Sequence, residues 1–195
     1  MSKRLTLAGL AVAALLASAC GSAEPAEKGD GDDRPYGSQA AIVERAVDAD
    51  TVVLDVKESG DSLTAGAGQE VQLLEMDAPE AQAPGHPSEC WGPEAARYAE
   101  GVLPAGLPVY VLPGGDGGLH GGRLAAYLWL ESGVLYNELA VRDGQARAVP
   151  EVFIQRLRAA EAEAKAANRG MWGPPCDYDA GAPAAGVPAP GAPKG

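Results

Sequence analysis

Val71-Gln72-Leu73-Leu74-Glu75-Met76-Asp77-Ala78-Pro79-Glu80 begins as an apolar strand and breaks off at its acidic end. Pro79 lacks a backbone donor and biases Ala78 toward an extended conformation, so the strand ends there. Two carboxylates, Asp77 and Glu80, therefore stand at the exit of a buried element. Upstream, Asp48-Ala49-Asp50-Thr51 leads into another apolar strand. A fold that joined the two clusters would bring three or four carboxylates to one place, a candidate site for a hard cation.

Working outward, Ala40 to Val47 and Thr51 to Lys57 are β-rich runs flanking Asp48 to Asp50 and read as a hairpin. The second alternates Val52, Leu54 and Val56 against Thr51, Val53 and Asp55. Gly60 to Gly68 reads as a turn before a strand over Glu70 to Met76. Gly92-Pro93-Glu94 marks a helix start, because proline suits the first helical position and an acid complements the helix dipole. That helix runs to about Leu103, before Pro104. Strands follow at Leu107 to Leu112 and Arg123 to Leu130, separated by the glycine-dense loop Gly114 to Gly122. Leu135 to Arg142 reads as a short helix ended by Gly144. Pro150 to Arg169 reads as a longer one, with Phe153, Leu157, Ala160, Ala164 and Ala167 on one stripe and Glu161 and Lys165 pairing on its wet face. The order of three strands, a helix, two strands and two helices fits an α+β, mainly β class: a five-stranded OB-fold barrel capped by three helices.

The 195 residues, 46% of them hydrophobic, suffice for one domain with a real core plus tails. The net charge is −12, and without residues 1–19 the chain carries 13 bases against 27 acids. Such a surface repels polyanions at long range, so a phosphate-bearing substrate needs a local cationic patch or a bound metal.

Lys3 and Arg4 precede the apolar run Leu5 to Leu16, which is too short to span a bilayer and reads as an export signal over residues 1–19. Leu16-Ala17-Ser18-Ala19-Cys20 resembles a bacterial lipobox, which implies lipidation at Cys20 and a chain exported and anchored to a membrane or cell surface. Residues 20–38 read as a flexible acidic linker, 39–176 as the folded unit, and 177–195 as an Ala/Gly/Pro tail. The folded unit counts 20 acids and 10 bases. A monomer is expected.

Six segments, taken in order, resemble the staphylococcal nuclease (thermonuclease-like) family. They are Val47 to Thr51, Leu73 to Glu80, Gly92 to Ala95, Gly122 to Tyr127, Asn137 to Gly144, and Ala160-Glu161 to Trp172. An acidic turn or a lone arginine by itself is most often solvated surface; the joint order carries the resemblance. It implies an OB barrel with three helices and a Ca²⁺-dependent phosphodiesterase acting on DNA or RNA. By the same resemblance Asp50, Asp77 and the carbonyl of Ala78 are the calcium ligands, and Asp48 and Thr51 support them. Glu80 is the general base for the attacking water, and Arg123 steadies charge on the phosphoryl oxygens. Two carboxylates, a carbonyl, waters and a phosphate oxygen make chemical sense as a calcium shell.

The sequence departs from the family at three points. The family's second arginine, five residues before Asp77, is here Gln72, a neutral amide. Losing one preorganised charge of this kind costs about 3 kcal/mol in the transition state. Arg45 and Arg97 are available substitutes. Before Arg123 the family's aspartate and aromatic give way to Leu119-His120-Gly121-Gly122, and the aromatic expected against a base falls at Pro150. These departures motivate a second expectation, a weakened or inactive surface binding module. Cys90 and Cys176 flank the first and last helices; an even pair in an exported chain, at places where similar bacterial family members carry cysteines, implies a disulfide. His86 and His120 read as solvated loop residues, and Trp91, Trp129 and Trp172 as packing residues.

Overall fold

A computed structural model describes residues 35–60, 63–81, 87–114, 119–120, 123–149 and 154–178. The expected leader, Cys20, most of the linker and nearly all of the tail lie outside these residues, as do His86, Pro150 and Phe153. In chain order the elements are β1 (Gln39–Ala46), β2 (Thr51–Val56), β3 (Gly66–Leu73), β4 (Met76–Asp77), α1 (Gly92–Val102), β5 (Pro108–Pro113), β6 (Leu119–His120), β7 (Arg123–Leu130), α2 (Tyr136–Arg142), β8 (Arg147–Ala148) and α3 (Ile154–Ala166). A short 3-10 turn covers Gly170–Trp172.

β1, β2 and β3 form the antiparallel meander expected of the alternating apolar runs, with Val43 opposite Leu54 and Val52 opposite Val71. β1 also pairs antiparallel with β5, and β5 with β7. β7 then meets β3 in parallel, Gln72 opposite Ala125 and Leu73 opposite Ala126, which closes a five-stranded barrel. With its three helices this is the α+β OB arrangement. Val43, Leu54, Leu73, Val111 and Leu128 are among the fully buried core residues. β2 is covered on both faces, so Val53 is buried although the alternation assigned it to the opposite side from Val52 and Leu54.

Three readings of the sequence change. β3 starts at Gly66, inside the expected turn, because pairing with Val56 and Leu54 of β2 recruits the glycine-rich stretch. The expected strand Glu70 to Met76 ends at Leu73; Glu75 adopts φ 61°, and Met76–Asp77 forms a separate short pairing with β8. On α3, Leu157, Ala160 and Ala164 are buried as expected, but Ala167 lies beyond the helix and is exposed. Glu161 is half-buried, and besides pairing with Lys165 at 3.5 Å it accepts the Ala148 N–H.

Helix α1 begins at Gly92, just ahead of Pro93, buries Ala95 and Ala99, and ends at Val102 with Leu103 as its cap. Cys90 and Cys176 are joined by a disulfide, with Cα atoms 5.6 Å apart. The ends of α2 and α3 interlock through Gly144 and Gly170, both at positive φ. A Cβ on Gly144 would lie 2.2 Å from the Arg169 carbonyl oxygen, closer than any side chain allows.

Candidate functional site

The turn Asp48 to Thr51 is held from three sides. The Asp48 carboxylate accepts the Asp50 N–H at 3.0 Å, closing the turn on itself. The Asp50 carbonyl accepts both the Leu73 N–H at 2.6 Å and the Gln72 side-chain amide at 3.2 Å. From α2 the buried Tyr136 hydroxyl donates to the Ala49 carbonyl at 3.1 Å. Burial first, then the nearby charges, holds that phenol well above its ordinary range.

The two acidic clusters meet through Asp50. Its Oδ2 accepts the Ala78 N–H at 2.8 Å, so the β2 turn is docked directly onto the exit of β4. Its Oδ1 lies 3.0 Å from the Thr51 hydroxyl, which is also 3.4 Å from Gln72 Oε1, leaving one proton between two acceptors. Asp48, Asp50 and Thr51 are all buried. Among the described residues no cationic side chain pairs with Asp48 or Asp50. Burial pushes the Asp50 carboxyl up to about 8, the Asp48 charge adds to this, and the Ala78 N–H pulls the other way.

Asp77 does not point into this pair. It sits directly opposite Arg147 in the β4–β8 pairing, and its Oδ2 receives the Arg147 Nε–H at 2.6 Å and a second contact from Nη2. The convergence of three or four carboxylates expected from sequence is therefore not seen: among the described residues no group of three His, Cys, Asp or Glu side chains is placed to share a metal. The Arg147 guanidinium, which the sequence reading did not select, holds Asp77 instead.

Glu80 is exposed, on a loop whose ends are tied. Its N–H donates to Glu89 Oε2 at 3.2 Å, and its carbonyl accepts the Glu89 N–H at 2.9 Å. The start of α1 presses against the same backbone, since a Cβ on Gly92 would lie 2.1 Å from the Glu80 carbonyl oxygen. Position 92 thus sets where Glu80 stands. Arg123 opens β7, opposite His120; its side chain, like that of His120, lies outside the described atoms. Arg45 is exposed on β1, and Arg97 pairs with Glu94 at 2.8 Å, so neither is joined to the acidic turn.

Behind the site, Asn137 is completely buried and bridges two elements. Its Nδ2–H donates to the Leu74 carbonyl at 2.8 Å, and its Oδ1 accepts the Leu128 N–H at 3.0 Å. Glu75, in its left-handed conformation, receives the Tyr127 hydroxyl at 2.9 Å. These bonds turn the chain sharply after β3 and deliver Ala78 to Asp50. Nothing local in the sequence signals them.

The sequence model of a family described as staphylococcal nuclease homologue matches residues 70–174. The matched span holds Asp77, Ala78, Glu80, Cys90 and Arg123; Asp48, Asp50 and Thr51 precede it, and Cys176 follows it. No curated protein matches the chain.

Proposed function

The chain belongs to the staphylococcal nuclease homologue family, and from that premise we propose that it is an exported, Ca²⁺-dependent phosphodiesterase that hydrolyses DNA or RNA. The observation that carries the reading is the bond from the Ala78 N–H to Asp50, which unites the two acidic segments in one site. The donor set suits a hard divalent cation. Asp48 and Asp50 are buried together without a described cationic side chain to offset their repulsion, and all the candidate ligands are oxygens. Asp50, Asp77 and the Ala78 carbonyl would hold the ion, with Asp48 and Thr51 fixing Asp50.

Bound there, Ca²⁺ would polarise the phosphodiester and steady charge on its oxygens. The chain's own residues do the rest. Glu80 takes a proton from a water as its oxygen bonds to phosphorus; the bond from phosphorus to the leaving oxygen breaks as the electron pair departs with that oxygen. Arg123 holds the phosphoryl oxygens in place. The backbone bond and side-chain bond between Glu80 and Glu89 fix the backbone that carries the base. Lipidation at Cys20, with residues 21–38 as tether, would hold a monomeric domain at a bacterial membrane or cell surface. A Cys20→Ala variant should then leave the membrane fraction.

The test compares the native chain, Glu80→Gln and Gln72→Arg on single-stranded DNA with and without Ca²⁺. Expected are cleavage lost on chelation, a strong loss in Glu80→Gln, and a gain of roughly a hundredfold in Gln72→Arg. Intact DNA across millimolar Ca²⁺, unchanged by either substitution, would refute the enzyme. One observation favours the second reading, a weakened or inactive binding module: Gln72 lies against the Asp50 carbonyl with a neutral amide where a charge is needed. Cleavage abolished by chelation would rule that module out.

A further inference from the structure

The folded unit carries 20 acids and 10 bases, so a phosphodiester can approach only where a cation faces it. Most described basic side chains are committed elsewhere. Arg97 pairs with Glu94, Arg142 and Arg156 with Glu138, Lys57 with Asp55 and Lys165 with Glu161. Among the described residues Arg147 is the only cationic side chain paired with Asp48, Asp50 or Asp77.

That pair has two properties of an exchangeable contact. Both partners are about two-fifths exposed, 40% for Arg147 and 44% for Asp77, so water and salt weaken it. Its register is nevertheless fixed, because Asp77 and Arg147 face each other across β4 and β8 and the neighbouring pair is Met76 with Ala148. The guanidinium can let go of the carboxylate without leaving the site. A planar fork is also the side chain best shaped for phosphate oxygens.

We propose that Arg147 is the phosphate-binding arginine of this chain, neutralising Asp77 while no divalent cation is bound and turning to the substrate phosphate when a cation takes Asp77. This rests on the nuclease reading and deepens it: Arg147 brings a guanidinium from β8 to the phosphate and offsets only part of the charge that Gln72 on β3 lacks. Cation and phosphate then bind cooperatively, since the ion frees the arginine and the phosphate keeps it from returning. A polyanion meets a receptive guanidinium only once the ion has arrived.

The experiment uses the full chain with Glu80→Gln, which prevents hydrolysis, and adds Arg147→Gln or Arg147→Lys; thermal melts establish that each variant folds. Calorimetric titration with Ca²⁺ alone should show Arg147→Gln binding several-fold tighter, because the competitor for Asp77 is gone. A short single-stranded DNA oligonucleotide, titrated at saturating Ca²⁺, should bind about tenfold more weakly to the same variant. The slope of log affinity against log salt should fall by about 0.7, the signature of one lost phosphate contact on a single strand. Arg147→Lys, which keeps the charge without the fork, should lie between. Weaker Ca²⁺ binding in Arg147→Gln would mean that the arginine merely positions Asp77, and would overturn the proposal. So would unchanged oligonucleotide affinity. Failure of the Glu80→Gln parent to bind Ca²⁺ would overturn the nuclease reading along with it, whereas a parent that binds both ligands and ignores Arg147→Gln would overturn this inference alone.

Discussion

Replacing Asp50 by Asn should make the metal-free protein more stable at alkaline pH while destroying its function. Unfolded, the Asp50 carboxyl releases its proton near 3.8; in the folded chain burial beside Asp48 raises that to about 8. Between those values the folded state binds more protons than the unfolded state, so stability falls as pH rises. The contribution is intact below about pH 4 and gone above about pH 8. A gap of about four units at 1.36 kcal/mol each is about 5 kcal/mol, comparable to the whole stability of a small domain. Relaxation and water penetration around the charged carboxylate reduce this, so about 2–4 kcal/mol is expected between pH 5 and pH 9. Asn keeps the shape and one oxygen for the Ala78 N–H, and it does not titrate. The assay is urea unfolding in chelator at pH 5, 7 and 9, with the disulfide intact. The native chain should lose stability across the series, Asp50→Asn should lose several-fold less, and saturating Ca²⁺ should restore the native chain at pH 9. Parallel curves for the two proteins would refute the claim that Asp50 is buried against its own charge.

Three further outcomes follow from the geometry. Gly92→Ala should cost about 1–3 kcal/mol and lower kcat more than it raises KM, because the added carbon meets the Glu80 carbonyl at 2.1 Å; melting and steady-state kinetics check both. Asn137→Ala strands the Leu74 carbonyl and the Leu128 N–H and should destabilise by about 2–4 kcal/mol in urea unfolding, with no change in the unfolding slope. Reducing the Cys90–Cys176 bridge, which spans 86 residues, should cost about 4–5 kcal/mol by the chain-entropy relation, read as a shift in midpoint with and without reductant.

The barrel was legible because its strands carry β-branched residues with buried and exposed positions alternating, and because Pro93 announces α1. The start of β3 was hidden, since Gly66-Ala67-Gly68 has turn composition and becomes strand only against β2. Likewise the break at Glu75 is imposed by Asn137 and Tyr127, far along the chain, and no local propensity encodes it. In the site, Asp50 and Asp77 could be singled out by order of motifs, but their orientations could not. The contact of Arg147 with Asp77 spans 70 residues and depends on which residue of β8 faces which of β4. Two-residue strands have no periodicity to read.

The parallel seam between β3 and β7 bears on how this molecule comes into being. Every other pairing in the barrel is antiparallel; the seam joins the strand that leads toward Asp77 to the strand that begins with Arg123. The seam and the β1–β5 pairing both join strands far apart in the chain, and such contacts carry a loop-closure cost and form late. Until the seam zips, the strand that leads toward Asp77 and the strand that opens with Arg123 stand on separate edges. Recovery of the proposed activity during refolding would therefore time the closing of the barrel itself, a clock that secondary structure alone does not keep.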